Sequence, residues 1–187
     1  MTDKKIVLAS FSPRRKELLA QLGYPFTVVK TDVEEYRKAE EPAYQYVQRL
    51  SKDKAMAGLA IEPDAVVIGS DTIVVVEDSI LEKPNDLSHA KLMLSQLSGR
   101  SHKVMTAVTV VSEQGSRSTV VITDVWFKPL SEKEIEQYWL TGEPCDKAGS
   151  YGIQGLGGRF VTRIEGSYHA VVGLPLYETD QLLHEFL

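Results

Sequence analysis

Two β-branched runs, Ala65-Val66-Val67-Ile68-Gly69 and Ile73-Val74-Val75-Val76, flank Ser70-Asp71-Thr72, and no other feature constrains the fold of this chain as tightly. Such runs read as strands, because branched side chains suit a pleated, buried surface. Asp71 then sits among apolar neighbours, where an ionised carboxylate needs a partner to offset its desolvation. A divalent cation would serve, and a carboxylate so held could orient or deprotonate a water. A turn or bulge aspartate bonded to backbone N–H groups would satisfy the same pattern.

The rest of the chain alternates short strands with helices. Ile6 to Ala9 reads as a strand, and Ser12 caps a helix with Pro13 at its first position and Leu18, Leu19 and Leu22 facing inward, ended by Gly23. Phe26 to Val29 is a second short apolar stretch, followed by an acidic loop at Glu34 and Glu35 and a helix from Pro42 to Gly58. Glu77-Asp78-Ser79 turns the chain back through Ile80 and Leu81 as a hairpin, and a helix from Ser88 to Leu97 stops at Gly99. Strands are expected over Val104 to Val111 and Thr119 to Phe127, around a turn containing Gly115. Ser131-Glu132-Lys133-Glu134 is a capping box. Glycines at 149, 152, 155, 157 and 158 suggest a flexible loop before a strand over Phe160 to Ile164, and the last helix follows Pro175. Strands and helices alternating with interspersed hairpins imply a mixed α/β fold, and residues 1–187 read as one domain.

Composition narrows the partners. Lys and Arg number 21 against 26 Asp and Glu, a formal charge of −5, which disfavours stable binding to nucleic acid or an anionic membrane. Any anion site is therefore local. The single cysteine, Cys145, fits a reducing compartment, so cytoplasm is the expected location, and neither a signal peptide nor a membrane span is evident. His89, His102, His169 and His184 lack metal-ligand spacing.

Three further features break local rules. Arg14 and Arg15 occupy the first turn of a helix, the positive end of its dipole. With the hydroxyls of Ser10 and Ser12 and free backbone N–H groups, they would form a receptor for phosphate oxygens, although two arginines extended into water fit the pattern as well. Lys54 shares a helical stripe with Val47, Leu50 and Ala57, where most lysines snorkel to the edge; Lys83 follows Glu82 and precedes Pro84. Gln154, in Tyr151-Gly152-Ile153-Gln154-Gly155, carries an amide able to read the hydrogen-bonding edge of a base. No G-x-x-x-x-G-K-[ST] phosphate loop is present.

Taken together, these residues resemble the Maf family of nucleotide pyrophosphatases. The matching blocks, in order, are Leu8-Ala9-Ser10-Phe11-Ser12-Pro13-Arg14-Arg15-Lys16-Glu17-Leu18-Leu19, Val33-Glu34-Glu35, Leu50-Ser51-Lys52-Asp53-Lys54-Ala55, Gly69-Ser70-Asp71-Thr72 and Leu81-Glu82-Lys83-Pro84. They continue through Leu97-Ser98-Gly99, Asp146-Lys147-Ala148-Gly149, Tyr151 to Gly155 and Gly173-Leu174-Pro175. The resemblance implies a twisted mixed β-sheet with flanking helices, forming two lobes around a deep cleft as in inosine triphosphate pyrophosphatases. It makes Asp71 the catalytic proton acceptor and gives a divalent cation, Mg or Mn, to Glu35 and Asp71. Lys54 and Lys83 fall at catalytic positions, and Ser10, Arg14 and Arg15 at phosphate-contacting ones. Arg14, Thr72 and Gln154 match the branch that prefers dTTP and UTP. Phe11, Ser70 and Ser150 depart from the family's usual residues without removing any of these groups.

The implied activity is hydrolysis of dTTP and UTP, with CTP and modified pyrimidine triphosphates as further candidates, to the monophosphate and pyrophosphate. Two alternatives accompany it: the same hydrolysis on a purine or methylated nucleotide, and a nucleotide-binding regulator of septum formation. The expected partner is a nucleoside triphosphate, and a homodimer is left open.

Overall fold

The structure, a computed structural model, describes residues 4–187. Its sheet has seven strands: β1 (Ile6–Leu8), β2 (Phe26–Val28), β3 (Val66–Val76), β4 (Ser79–Leu81), β5 (Ser101–Ser112), β6 (Gly115–Phe127) and β7 (Val161–Glu165). They lie in the order β2-β1-β3-β5-β6-β7, with β4 beside β3. β1 is parallel to both β2 and β3, whereas β4 runs antiparallel to β3 and β7 antiparallel to β6. Only two residues join β5 to β6, a connection that an antiparallel pair alone permits. The helices are α1 (Pro13–Ala20), α2 (Ala43–Ile61), α3 (Leu87–Leu97), α4 (Glu132–Leu140), α5 (Tyr168–Val172) and α6 (Leu176–His184). The expected mixed α/β class is what the chain adopts.

Residues 4–71, with Thr106–Val121 and Gly173–Leu187, form one compact unit. Its core gathers Val7, Ala9, Ala55, Ala65, Val67 and Val111, with Val29 and Leu59 packed against them. Two glycines let α2 approach the sheet: a Cβ at Gly58 would stand 2.7 Å from the Val67 side chain, and one at Gly69 would stand 2.3 Å from the Ser51 carbonyl. Helix backbone therefore lies directly on β3 at Gly69. The second unit, Thr72–Met105 with Ile122–Val172, has its own core. There Leu94, Leu97 and Val125 pack with an aromatic group in which the Phe127 and Tyr151 rings meet edge-on at 4.7 Å and those of Tyr138 and Phe160 at 5.0 Å.

Several elements differ from the sequence expectation. β3 is one unbroken strand where two runs with a polar gap were expected, because partners exist for the gap: the buried Ser70 hydroxyl lies 2.9 Å from the Ala107 carbonyl and 3.1 Å from that of Gly173. β5 begins three residues before Val104, and β6 four residues before Thr119. α1 stops at Ala20, leaving Leu22 half-buried in a turn. α5 was not anticipated. The glycine-rich segment is not an open loop but a succession of 3-10 turns, Glu143–Asp146, Ala148–Ser150 and Leu156–Phe160. Among the described residues no helix is long and apolar enough to cross a membrane.

Candidate active site

The path of α2 over β3 determines which side chains meet. Side chains alternate along a strand, so Val67, Gly69 and Asp71 share one face. α2 covers that face by setting Gly58 against Val67 and Ser51 and Ala55 against Gly69. Continuing the line brings Lys54 onto Asp71, Nζ to Oδ1 at 2.8 Å. Rather than snorkelling, the Lys54 side chain is only 15% exposed, and it also contacts Glu35 Oε1 at 2.5 Å. Glu35 comes from the segment between β2 and α2 and keeps 44% of its side chain exposed. One ammonium thus bridges the two carboxylates to which the family resemblance gives a divalent cation.

Asp71 is buried, and its second oxygen, Oδ2, has no hydrogen-bond partner. Desolvation raises its pKa above the ordinary carboxylate value; Lys54 and Arg15 oppose the shift and Glu35 adds to it. A buried acceptor without a donor is costly unless a ligand or proton completes it. An oxygen in that state can take a proton from water, and Glu35 on the other side of Lys54 adds the carboxylate oxygen that a hard cation favours. Among the described residues, no group of three or more His, Cys, Asp or Glu could hold a metal. Two carboxylates with substrate phosphates and water are nevertheless a usual magnesium environment.

The loop after β1 supplies the neighbouring cations. Ser12 caps α1 by accepting from the Arg15 N–H, and its own N–H donates to the Ser10 hydroxyl at 3.2 Å. Arg15 donates through Nε to the Gly173 carbonyl at 2.7 Å, the same oxygen that faces Ser70. Burial lowers the Arg15 pKa, as does the charge of Arg14, while Asp71 and Glu35 counteract them. Arg15 and Lys54 therefore both act electrostatically on Asp71. Arg14 is half-buried, and Glu34 is exposed.

Ser10, Arg14, Arg15, Glu35, Lys54 and Asp71 belong to the first unit; Thr72, Lys83 and Gln154 belong to the second. Thr72 is half-buried in β3, Lys83 is exposed just after β4, and Gln154 is exposed on a turn. Sequence reasoning gave no role to the Gly173 carbonyl or the Ser70 hydroxyl, which anchor Arg15 and the centre of β3. Gly173-Leu174-Pro175 was legible as a motif, but a backbone acceptor leaves no side-chain signal.

A mixed α/β chain with paired carboxylates, a bridging lysine and helix-borne arginines has the makings of a phosphate-handling protein. Residues 5–186 match the family described as Maf-like protein. The chain belongs to the Maf family. It is 69% identical over 183 residues to a dTTP/UTP pyrophosphatase of Vibrio parahaemolyticus, covering 97% of each chain, and 68% identical to that of Vibrio cholerae over the full length of both. A dTTP/UTP pyrophosphatase of Yersinia pestis is 58% identical, across 97% of this chain and 93% of its own. A solved structure of the Staphylococcus aureus Ham1 protein covers 66% of this chain and 72% of its own at 15% identity with a TM-score of 0.46, too loose a likeness to bear on function.

Proposed function

We propose that this chain is a nucleoside triphosphate pyrophosphatase that hydrolyses dTTP and UTP to the monophosphate and pyrophosphate. Relatives that share about two thirds of its sequence end to end bear that activity in their names. The observation that carries the chemistry is Asp71, buried with one oxygen on Lys54 and the other unpaired.

In this reading Oδ2 of Asp71 accepts a proton from water as the water oxygen attacks the α-phosphorus. The bond from that phosphorus to the oxygen bridging to the β-phosphate breaks, and pyrophosphate departs. A raised pKa brings the Asp71 base closer to neutral pH, where general-base catalysis is more effective. Lys54 holds the Asp71 side chain through Oδ1 and keeps positive charge beside it. Arg14, Arg15 and Lys83, with the Ser10 hydroxyl, receive phosphate oxygens on which negative charge accumulates. Glu35 and Asp71 would hold a divalent cation, magnesium or manganese, which when bound supplies Lewis-acid charge to the phosphates. Thr72 and Gln154 select the pyrimidine.

Residues 1–187 then serve as one functional domain acting on a free nucleotide in the cytoplasm. A formal charge of −5 supports a small-molecule substrate over nucleic acid, and an exposed, unpaired Cys145 supports a reducing compartment. Pyrophosphate release from a panel of common and modified triphosphates, with magnesium and with manganese, tests the reading. Highest kcat/KM on dTTP and UTP is expected. Preference for a purine or methylated nucleotide would replace the substrate, and no release from any triphosphate would leave nucleotide binding as the function.

A further inference from the structure

The turn carrying Gln154 is held by a carboxylate to which the sequence gave no role. Glu143 Oε1 accepts from the Tyr138 hydroxyl at 2.6 Å and from the Gly157 N–H at 3.0 Å, while Oε2 accepts from the Leu156 N–H at 2.8 Å. The Tyr138 oxygen in turn accepts from the Gly152 N–H at 3.0 Å. Backbone amides on both sides of Gln154 are thus fastened to one Tyr–Glu pair.

The glycines record how closely that pair is enclosed. A Cβ at Gly155 would stand 2.4 Å from Glu143 Oε2, and one at Gly157 would stand 2.6 Å from the Tyr138 oxygen. The pair is itself fixed, for the Tyr138 ring is buried edge-on against Phe160, and Lys147 donates to the Glu143 carbonyl at 2.8 Å. Gln154 itself is exposed. Its backbone is constrained while its amide remains available, as recognition of a ligand edge requires.

We propose that Glu143, together with Tyr138, is the positioning residue that presents Gln154 to the pyrimidine base, an inference that rests on the base-reading role given to Gln154 above. The chemistry calls for a carboxylate. It offers only acceptors, whereas a glutamine would turn an N–H2 group toward an N–H or O–H donor. Burial works against the charge, yet the Tyr138 hydroxyl and the two amides hold the Glu143 pKa below its ordinary value, so it is ionised at neutral pH.

The test compares wild type, Glu143→Gln and Tyr138→Phe for kcat/KM on UTP and on GTP, each variant also made in a Gln154→Ala background. Loosening the turn should lower the UTP-to-GTP ratio about tenfold, the scale of a misplaced buried hydrogen bond, with turnover of GTP nearly unchanged. In the Gln154→Ala background the same substitutions should leave the ratio where that mutation alone sets it. Amide hydrogen exchange at Leu156 and Gly157 should quicken in both variants, a readout independent of activity. Tyr138→Phe keeps the ring in the core and remains informative if Glu143→Gln does not fold. A ratio that responds to Gln154→Ala but not to the Glu143 or Tyr138 variants overturns the positioning role alone. A ratio that falls equally with and without Gln154 also overturns it. Wild type without preference for UTP over GTP overturns the base-reading role and, with it, this inference.

Discussion

Lys54 reaches one oxygen of Asp71 and leaves the other unpaired: Nζ stands 2.8 Å from Oδ1, and Oδ2 has no hydrogen-bond partner. Holding and reacting are thereby divided between two atoms of a single carboxylate.

Asp71→Asn retains the shape and an oxygen for Lys54 but cannot accept the proton. Turnover of dTTP and UTP should fall about a hundredfold or more, the usual scale for removing a general base. Circular dichroism and the melting temperature should show an intact fold. Hydrolysis near the wild-type rate at saturating metal would remove Asp71 from the proton-acceptor role.

The acid side of the pH profile should lie above the ordinary carboxylate range. Burial makes the native protein bind the Asp71 proton more tightly than the unfolded chain does. The stability contributed by that proton is fully present below the unfolded value and is lost as pH rises through the raised native one. Activity runs in the opposite sense, falling as pH drops through the same native value. Glu35→Gln should move the acid limb of kcat/KM down, since Glu35 raises the Asp71 pKa, and Lys54→Met should move it up. Limbs that coincide in all three proteins would mean that another group controls the profile.

Gly69→Ala should be far more damaging than an alanine on an open strand face. Its Cβ would meet the Ser51 carbonyl at 2.3 Å and the Ala55 nitrogen at 2.5 Å, both backbone atoms that cannot swing aside. Overpacking of this kind costs about 1–3 kcal/mol, occasionally more. Because α2 must lift, Lys54 moves from Asp71 and activity should decline along with the melting temperature. A variant as stable and active as wild type would show that α2 can give way freely.

Arg14 and Arg15 should separate in thermal melts. Both oppose the α1 dipole, a conflict worth about 0.3–1 kcal/mol each, and from sequence either could be neutralised without loss of stability. The structure distinguishes them by the Arg15 bond to the Gly173 carbonyl. Without ligand, Arg14→Gln should melt at or above the wild-type temperature, and Arg15→Gln should melt below it, having lost the about 1 kcal/mol of stability typical of a hydrogen bond. A non-hydrolysable triphosphate should raise the melting temperature of wild type more than that of either variant. Equal destabilisation of both without ligand would make Arg14 structural too.

The legible parts were those written in local chemistry. Ser12 before Pro13, the Ser131–Glu134 capping box and the β-branched runs each specify an element from adjacent residues, and all three are in place. Lys54 could not be read this way. Its helical stripe predicts an edge position, and only the close passage of α2 over Gly69, a tertiary event, turns it onto Asp71. Glu143 was silent for a related reason. Its partners are backbone N–H groups 13 and 14 residues away, which every sequence possesses and no motif marks. The polar gap at Ser70 likewise closes into a strand only because carbonyls at positions 107 and 173 reach it.

The Gly173 carbonyl, which receives Arg15 and faces Ser70, also sets a schedule for biosynthesis. The first unit joins segments that precede Asp71 to the 106–121 excursion and to residues from Gly173 onward, so Arg15 and Ser70 leave the ribosome long before their acceptor exists. At about 5–20 residues per second, the interval between Ser70 and Gly173 is on the order of ten seconds. During that time β1 and the nascent β3 lack both the strand and the carbonyl that complete them. A long apolar strand waiting with an open edge is vulnerable to pairing with other chains. The polar interruption Ser70-Asp71-Thr72 lies at the centre of that strand, so the residues proposed for chemistry also break up a sticky nascent segment until its partners arrive.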